Sequence, residues 1–356
     1  MSASSLRDSE RPVVAVDCNG SDLGPAEVAA GARLAVEQGA RVILFGPAEE
    51  LGTTEDHVEV VHAPVSIAKS PDPVRAVRAH PEASVVQCAR SLSEDRAQAF
   101  VCAGATGVAL AAGLFHIKRA RGIYRPALAL TLPVPGQPVT LLDVGANTEA
   151  RREHLVQFAF MGAALVGAVF SSSKPRVGLL SNGREDTRGS QLILETHSQL
   201  AELQSAAGAF EFVGNLEGDD LLSGTADVVV TDGLTGNIAL KLIEAVSQTV
   251  IGAVRDAAMS STRAKLGGAL LRPALRSFAT QIDPEAQGGA YLLGLRGLGV
   301  IPHGRFTRQG FSQAILRAQR GAQAQLTAHT NQALADAGAL RTAPASAKDA
   351  SLPANL

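Results

Sequence analysis

Short, unbroken apolar runs that end in polar, glycine-rich loops recur along most of this chain, and helical patterns follow them. The runs are Val13–Val16, Arg41–Phe45, Phe100–Cys102, Ala127–Leu132, Val139–Val144, Val177–Leu180, Phe210–Val213 and Val228–Thr231. Most do not alternate apolar with polar residues, so such strands need cover on both faces. A mostly parallel sheet with helices on each side meets that need. Pro25–Gln38, with proline in its first turn, and Asn237–Ala258 and Thr307–Leu334 are the clearest helical patterns. The expected class is α/β with a helical C-terminal part. No internal repeat or clean linker divides the chain. We expect one large α/β catalytic unit over 12–335, with a helical excursion near 250–285 and flexible ends at 1–11 and 336–356.

Composition narrows the function. Of 356 residues, 46% are hydrophobic and 19% charged, which suits a large buried core and excludes a disordered or fibrous chain. A net charge of −2, no tryptophan and 2 tyrosines argue against nucleic acid as a partner. Cys18, Cys88 and Cys102 form no C-x-x-C pair, so neither disulfides nor zinc are expected, and a reducing cytoplasm is. The polar start MSASSLRDSERP has no apolar core of a secretory signal. Phe158–Phe170 is shorter than the ~20 residues of a membrane span and reads as a core helix. There is no H-E-x-x-H and no nucleotide P-loop, so no metal or cofactor is expected.

Ligands of open α/β sheets bind beyond the carboxyl ends of the strands. The loops expected there are Asp17–Pro25, Cys102–Gly107, Asp143–Asn147, Ser181–Gly189 and Thr231–Asn237. Glycine lets a ligand approach the backbone, Thr and Asn offer neutral donors, and a helix N-terminus adds unpaired N–H groups. Each loop taken singly is ordinary turn geometry; Asp17 and Asp143 equally cap helices, and Asp232 equally holds its own turn. Five of them on one edge of one sheet would make an anion-binding cleft without a nucleophile.

At these loops the chain resembles the bacterial phosphate acyltransferases that use acyl carrier protein in phospholipid synthesis. The resemblance covers about Val13 to Ala318. It rests on Leu141-Leu-Asp-Val-Gly-Ala-Asn147, His154-Leu-Val-Gln-Phe158, Phe212-Val-Gly-Asn-Leu-Glu-Gly218, the segment Asp227–Lys241, Gly288-Gly-Ala-Tyr-Leu-Leu-Gly294 and His303-Gly304. It implies a three-layer α/β/α fold like that of isocitrate dehydrogenases and phosphotransacetylases, and a homodimer. It implies that inorganic phosphate and a long-chain acyl carrier protein yield acyl phosphate, which a membrane glycerol-3-phosphate acyltransferase uses next. The chain departs from the pattern at Asn19-Gly20-Ser21-Asp22, at Ala105 where an asparagine is usual, and at Ser181 and Arg184.

On this resemblance, Gly104, Thr106, Gly107, Thr235 and Gly236 are expected to hold phosphate. Asn147 and Asn237 are expected to orient it or to bond the oxyanion. Asp232 is expected to take a proton or position a donor, and Lys241 to balance charge. Two rival readings are a NAD-dependent decarboxylating dehydrogenase and a non-catalytic, membrane-associated scaffold. The first needs clustered Asp ligands that the chain does not show.

The carrier protein is acidic, so Arg119 and Arg121 are expected to dock it. From Arg263 to Thr280 the chain has no acid. On one helix at about 100° per residue, Lys265, Arg272 and Arg276 share a face, while Leu266, Leu270, Leu271, Leu275 and Phe278 spread over the other side. Gly267-Gly268 and Pro273 favour a helical hairpin there. Leu270, Leu271, Arg272 and Arg276 are expected to touch an anionic membrane, which makes this a cytoplasmic protein attached peripherally to the inner face of the cell membrane.

Overall fold

The continuous apolar runs form strands whose side chains divide between two core layers. Val14 and Val16 enter one layer and Ala15 the other; Val42 and Leu44 oppose Ile43 and Phe45; Val228 and Val230 oppose Val229. Strand side chains point to opposite faces in turn, so a strand covered on both sides must be apolar throughout. The computed structural model describes residues 11–341, apart from 133, 135, 136, 171 and 282. Most of the two ends expected to be flexible therefore lies outside the described residues. Within the second end, Leu340 packs on the core and the Arg341 N–H donates to Gly122 O at 2.7 Å.

The strands are β1 (Val13–Asp17), β2 (Arg41–Gly46), β3 (Val58–His62), β4 (Ala99–Cys102), β5 (Ala127–Leu132), β6 (Val139–Leu142), β7 (Arg176–Leu180), β8 (Glu211–Leu216), β9 (Val228–Val230), β10 (Ala290–Leu293) and β11 (Leu298–Ile301). The α-helices are α1 (Pro25–Glu37), α2 (Ala48–Leu51), α3 (Pro73–Ala79), α4 (Ser84–Ser93), α5 (Thr106–Ala112), α6 (Arg152–Phe170), α7 (Gln191–Ala207), α8 (Gly233–Met259), α9 (Thr262–Gln281), α10 (Arg308–Gln323) and α11 (Leu326–Asp336). A π-helical turn, Gly113–Ile117, continues α5. One 11-stranded sheet has the order β3-β2-β1-β4-β11-β10-β5-β6-β9-β7-β8. It is mostly parallel and lies between two helical layers, a three-layer α/β/α fold. The antiparallel pairings are β11–β10, β10–β5 and β5–β6.

Those three reversals correct the expectation that all five loops share one edge. β1, β4 and β11 run together, whereas β6, β9 and β7 run the opposite way. The loops after β1 and β4 therefore open at one edge, and those after β6, β7 and β9 at the other. β10 and β11 were also not expected, because a mostly helical chain was read beyond Thr231. At four residues each they are too short for any period, yet they join the two halves of the sheet. β3 was not expected either; it stands at one end of the strand order, and only Val58 in it is fully buried.

Helix boundaries shift for local reasons. Asp232 caps α8, so the helix begins at Gly233 rather than Asn237. The segment Thr307–Leu334 is two helices, broken at Gln325 with φ 48°. The segment around 263–280 is one helix, α9, which runs through Gly267, Gly268 and Pro273. The hairpin does exist, but it is formed by α8 with α9 and turns at Ser260-Ser261. Both α6 and α8 have the length and hydropathy to cross a bilayer. α6 lies mostly inside the core, whereas none of the apolar window of α8 is buried.

Candidate functional site

The loops after β1, β4 and β11 interlock. The Asp22 N–H donates to Gly304 O at 2.8 Å, and the Gly104 N–H to Pro302 O at 3.0 Å. Gly20 permits this, because a Cβ there would stand 1.9 Å from the Ala103 carbonyl oxygen. Gly104, at φ +67°, presses against Gly20 and Gly304 and so shapes the loop. α5 starts beside it with no side-chain cap on Ala105. The first bond into the helix is Ala109 N–H to Ala105 O at 2.8 Å. The N–H groups of Thr106, Gly107 and Val108 thus have no carbonyl within the helix and present positive potential. Thr106 is half-buried and Gly107 exposed.

His303 brings a polar ring to this end of α5, and Lys241 brings a positive charge within electrostatic range of that ring. The His303 ring accepts the Arg305 N–H on Nδ1 at 3.2 Å. Burial, with Arg305 and Lys241, pushes its pKa below 6.5, while Glu244 and Asp22 pull the other way. The ring is neutral at pH 7, and with Nδ1 accepting, its proton sits on Nε2. Lys241 stands 3.7 Å from Glu244 and is exposed. Because α8 starts at the opposite edge, it must cross a sheet face before Lys241 acts on His303. Leu240 and Ile243 of α8 pack on the same core layer as Ala105, Leu110 and Leu130. α5 and α8 thus lie on one apolar layer of the sheet.

At the other edge the expected residues form a lock instead of a ligand site. Asp143 is buried and accepts N–H bonds from Leu128, Gly145, Ala146 and Asn147 at 2.8–3.2 Å. Burial raises its pKa against those bonds. The Asn147 amide donates to Pro126 O and Asp143 Oδ2, both at 2.8 Å. Both its hydrogens are engaged, which removes Asn147 as an oxyanion donor. Asp232 Oδ1 accepts the Thr235 N–H at 2.9 Å and Oδ2 its hydroxyl at 2.7 Å. The pair is a helix cap, so neither is retained as base or phosphate ligand. Gly236 is buried, and a Cβ there would stand 2.0 Å from Asp143 O, which leaves no room for phosphate. Asn237 lies against Gly145, and among the described residues its amide makes no hydrogen bond.

The 181–189 loop is also self-satisfied: Arg184 reaches Asp220 at 3.1 Å, and the Asn215 amide donates to Glu185 O at 2.8 Å. Arg119 and Arg121 lie past the π-turn and are exposed; Arg119 donates to Tyr124 O, and Arg121 stands outside the cavity that Arg119 lines. Leu270 and Leu271 are 77% and 59% exposed on α9, between exposed Lys265 and Arg272. Arg276 lies on the same exposed helix. Sequence reasoning assigned no role to His303, Asp22 or Glu244; His303-Gly304 carried a signal only as a motif.

All three thiols are buried, and desolvation, with the Asp17 carboxyl nearby, pushes each well above its ordinary pKa. The Cys102 thiol donates to Asp17 Oδ2 at 3.3 Å, and Ser84 Oγ donates to Oδ1 at 2.6 Å. A protonated, inaccessible thiol is a poor nucleophile. We expect iodoacetamide to leave the folded protein unmodified at pH 7.5 and to label three cysteines in denaturant, read by intact mass. Rapid labelling of the folded chain would restore a thiol mechanism. Among the described residues no group of His, Cys, Asp and Glu has metal-ligand geometry.

The model of a family described as "Fatty acid synthesis protein" matches residues 13–329. A protein named Phosphate acyltransferase from Anoxybacillus flavithermus is 40% identical over 312 residues, which are 86% of this chain and 93% of that protein. A Phosphate acyltransferase from Bacillus subtilis is 40% identical over 313 residues, 86% and 93% of the two chains. Among solved structures, a phosphotransacetylase from Streptococcus pyogenes superposes with TM-score 0.59 at 16% identity, covering 88% of this chain and 94% of that one. A 4-hydroxythreonine-4-phosphate dehydrogenase from Klebsiella pneumoniae gives 0.50 at 12% identity, covering 88% and 99%. Likeness at that distance shows the fold alone.

Proposed function

Given that the chain belongs to the fatty acid synthesis protein family and is an acyltransferase, we propose that it transfers a long-chain acyl group from acyl carrier protein to inorganic phosphate. The observation that carries this reading is the uncapped N-terminus of α5 beside the loop of a neutral His303, which lies within electrostatic range of Lys241, with every cysteine buried. Phosphate sits on the N–H groups of Thr106, Gly107 and Val108 and on the Thr106 hydroxyl. One of its unprotonated oxygens attacks the thioester carbonyl. The C–O bond forms, the C–S bond breaks, and the electron pair leaves on sulfur, which takes a proton from water. His303 Nε2–H and the Lys241 ammonium stabilise the tetrahedral oxyanion. The acyl chain lies on the half-buried floor of Leu110, Leu130, Leu240 and Ile243. Pure protein with palmitoyl carrier protein and phosphate should give acyl phosphate and free carrier in equal amounts. Thioester loss that ignores phosphate, or none at all, would overturn the reading; the latter would leave a scaffold.

The α8–α9 hairpin supports a homodimer and a peripheral place on the inner face of the cell membrane. Ile238, Leu242, Val246, Val250 and Val254 recur every four residues on α8 and are all more than 40% exposed. Such a stripe needs cover, and a second copy of α8 provides it. On α9, exposed Leu266, Leu270 and Leu271 beside Lys265 and Arg272 suit the interface of an anionic bilayer. Each such cation contributes roughly 1 kcal/mol there. From that position acyl phosphate reaches a membrane glycerol-3-phosphate acyltransferase. Leu270→Glu with Leu271→Glu should abolish sedimentation with phosphatidylglycerol vesicles while the dimer stays folded. Unchanged sedimentation of the double variant would remove α9 as the anchor.

A further inference from the structure

A cavity of about 590 Å³ opens at the edge of the sheet where β5 begins. Arg119, Arg125, Arg151 and Arg341 line it with a single acid, Glu153, over an apolar wall of Leu114, Phe115 and Tyr124. Among the described residues, the guanidinium groups of Arg125 and Arg151 have no hydrogen-bond or ion-pair partner. Burial depresses the pKa of His154 against the pull of Glu153, and both arginines add to it; His154 Nδ1 accepts the Arg151 N–H at 3.1 Å. Neutral His154 therefore carries its proton on Nε2, a further donor. The Arg341 guanidinium lies 5.9 Å from the Tyr124 ring. Four forked cations around an apolar wall suit an oxyanion attached to a less polar chain, above all a phosphoester.

The place of the cavity specifies its use. α5 and the π-turn that continues it run from the proposed phosphate site at Thr106 to the cavity wall at Leu114 and Phe115, about 12 Å at 1.5 Å per residue. An extended pantetheine arm spans more than that. We propose that the cavity anchors the phosphoester of a pantetheine-type acyl donor, so that the arm lays its thioester at the N-terminus of α5. This rests on the acyl-transfer reading above and adds to it the half of the donor that does not react. The phosphoester belongs either to a carrier protein or to a free coenzyme thioester.

The test uses Tyr124 emission from the whole protein, which has no tryptophan and whose other tyrosine, Tyr291, is fully buried. Phosphopantetheine should perturb that emission saturably, at concentrations at least tenfold below those for pantetheine or inorganic phosphate. Arg125→Ser with Arg151→Ser, both exposed and unpartnered among the described residues, should weaken this binding about tenfold or more. The same variant should raise the KM for palmitoyl carrier protein by a similar factor, with kcat and the KM for phosphate unchanged. A parallel shift with palmitoyl coenzyme A assigns the cavity to either donor; a shift with the carrier alone assigns it to the carrier. Equal binding of pantetheine and phosphopantetheine, or wild-type binding by the variant, overturns the proposal. Failure of the acyl-transfer reading is separate: no donor then gives phosphate-dependent thioester loss, and the titration still decides the cavity.

Discussion

Gly236→Ala should lower stability by about 3 kcal/mol or more, the upper range for atoms forced into a packed site. The new methyl carbon would stand 2.0 Å from the Asp143 carbonyl oxygen and 3.0 Å from its carbonyl carbon. These are backbone atoms, held by the four N–H bonds that the Asp143 carboxylate accepts. They cannot yield without releasing the loop that seats α8. Gly233 is as tightly placed, with Asn147 O 2.4 Å from its would-be Cβ. Thermal unfolding should drop by about 5–10 °C, and activity should fall with it, because α8 carries Lys241. Gly252 lies farther along the same helix with nothing within 4 Å. Gly252→Ala should therefore be neutral or stabilising, by up to ~1 kcal/mol. Melting curves of both variants check the contrast, and equal curves would mean that α8 is not locked at Gly236.

His303→Ala should slow acyl phosphate formation ~10²–10³-fold, the usual effect of losing one aimed oxyanion donor. Its melting temperature should barely change, since among the described residues its side chain holds no other element in place. Asn147→Ala should do the reverse. It strips a hydrogen bond from Pro126 O and another from buried Asp143, a loss of about 1–3 kcal/mol, and it reaches the rate only through α8. Steady-state rates paired with melting curves separate the two classes. A stable, inactive Asn147→Ala would return that residue to the chemistry. The His303 pKa is depressed below 6.5, so its stabilising contribution is present above pH 6.5 and is lost as pH falls through the folded value. Activity should hold across neutral pH and drop only below 6.5, where a protonated Nδ1 would face the Arg305 N–H. A rate that declines already between pH 8 and 7 would exclude neutral His303 as the donor.

The identity of β1, β2 and β4–β9 was legible in the chain because burial on two faces is a local property, whereas β10 and β11, at four residues each, were too short to stand out. Val228-Val-Val230 or Ala99-Phe-Val-Cys102 must be apolar at every position whatever strand lies beside it. That Asp232 holds its own turn was legible as one alternative, since an Asp three residues before a Thr carries its own partner; that it caps a helix starting at Gly233 was not. The family was legible from ordered motifs that span most of the chain. Strand direction was not, because direction belongs to pairs. The reversals at β10, β5 and β6 place the Asp143 and Asp232 loops at the edge opposite Gly104, and no residue in those loops encodes that. Asn147 and Asn237 looked alike in the chain; only packing shows one amide engaged by Pro126 and Asp143 and the other without a partner. His303 drew no role from its neighbours in sequence, since its partners Lys241 and Asp22 lie 62 and 281 positions away. The sequence by itself determined which segments are buried and which loops are polar. Tertiary structure decided which loops meet, because the crossing of α8 over the sheet depends on contacts between residues far apart in the chain.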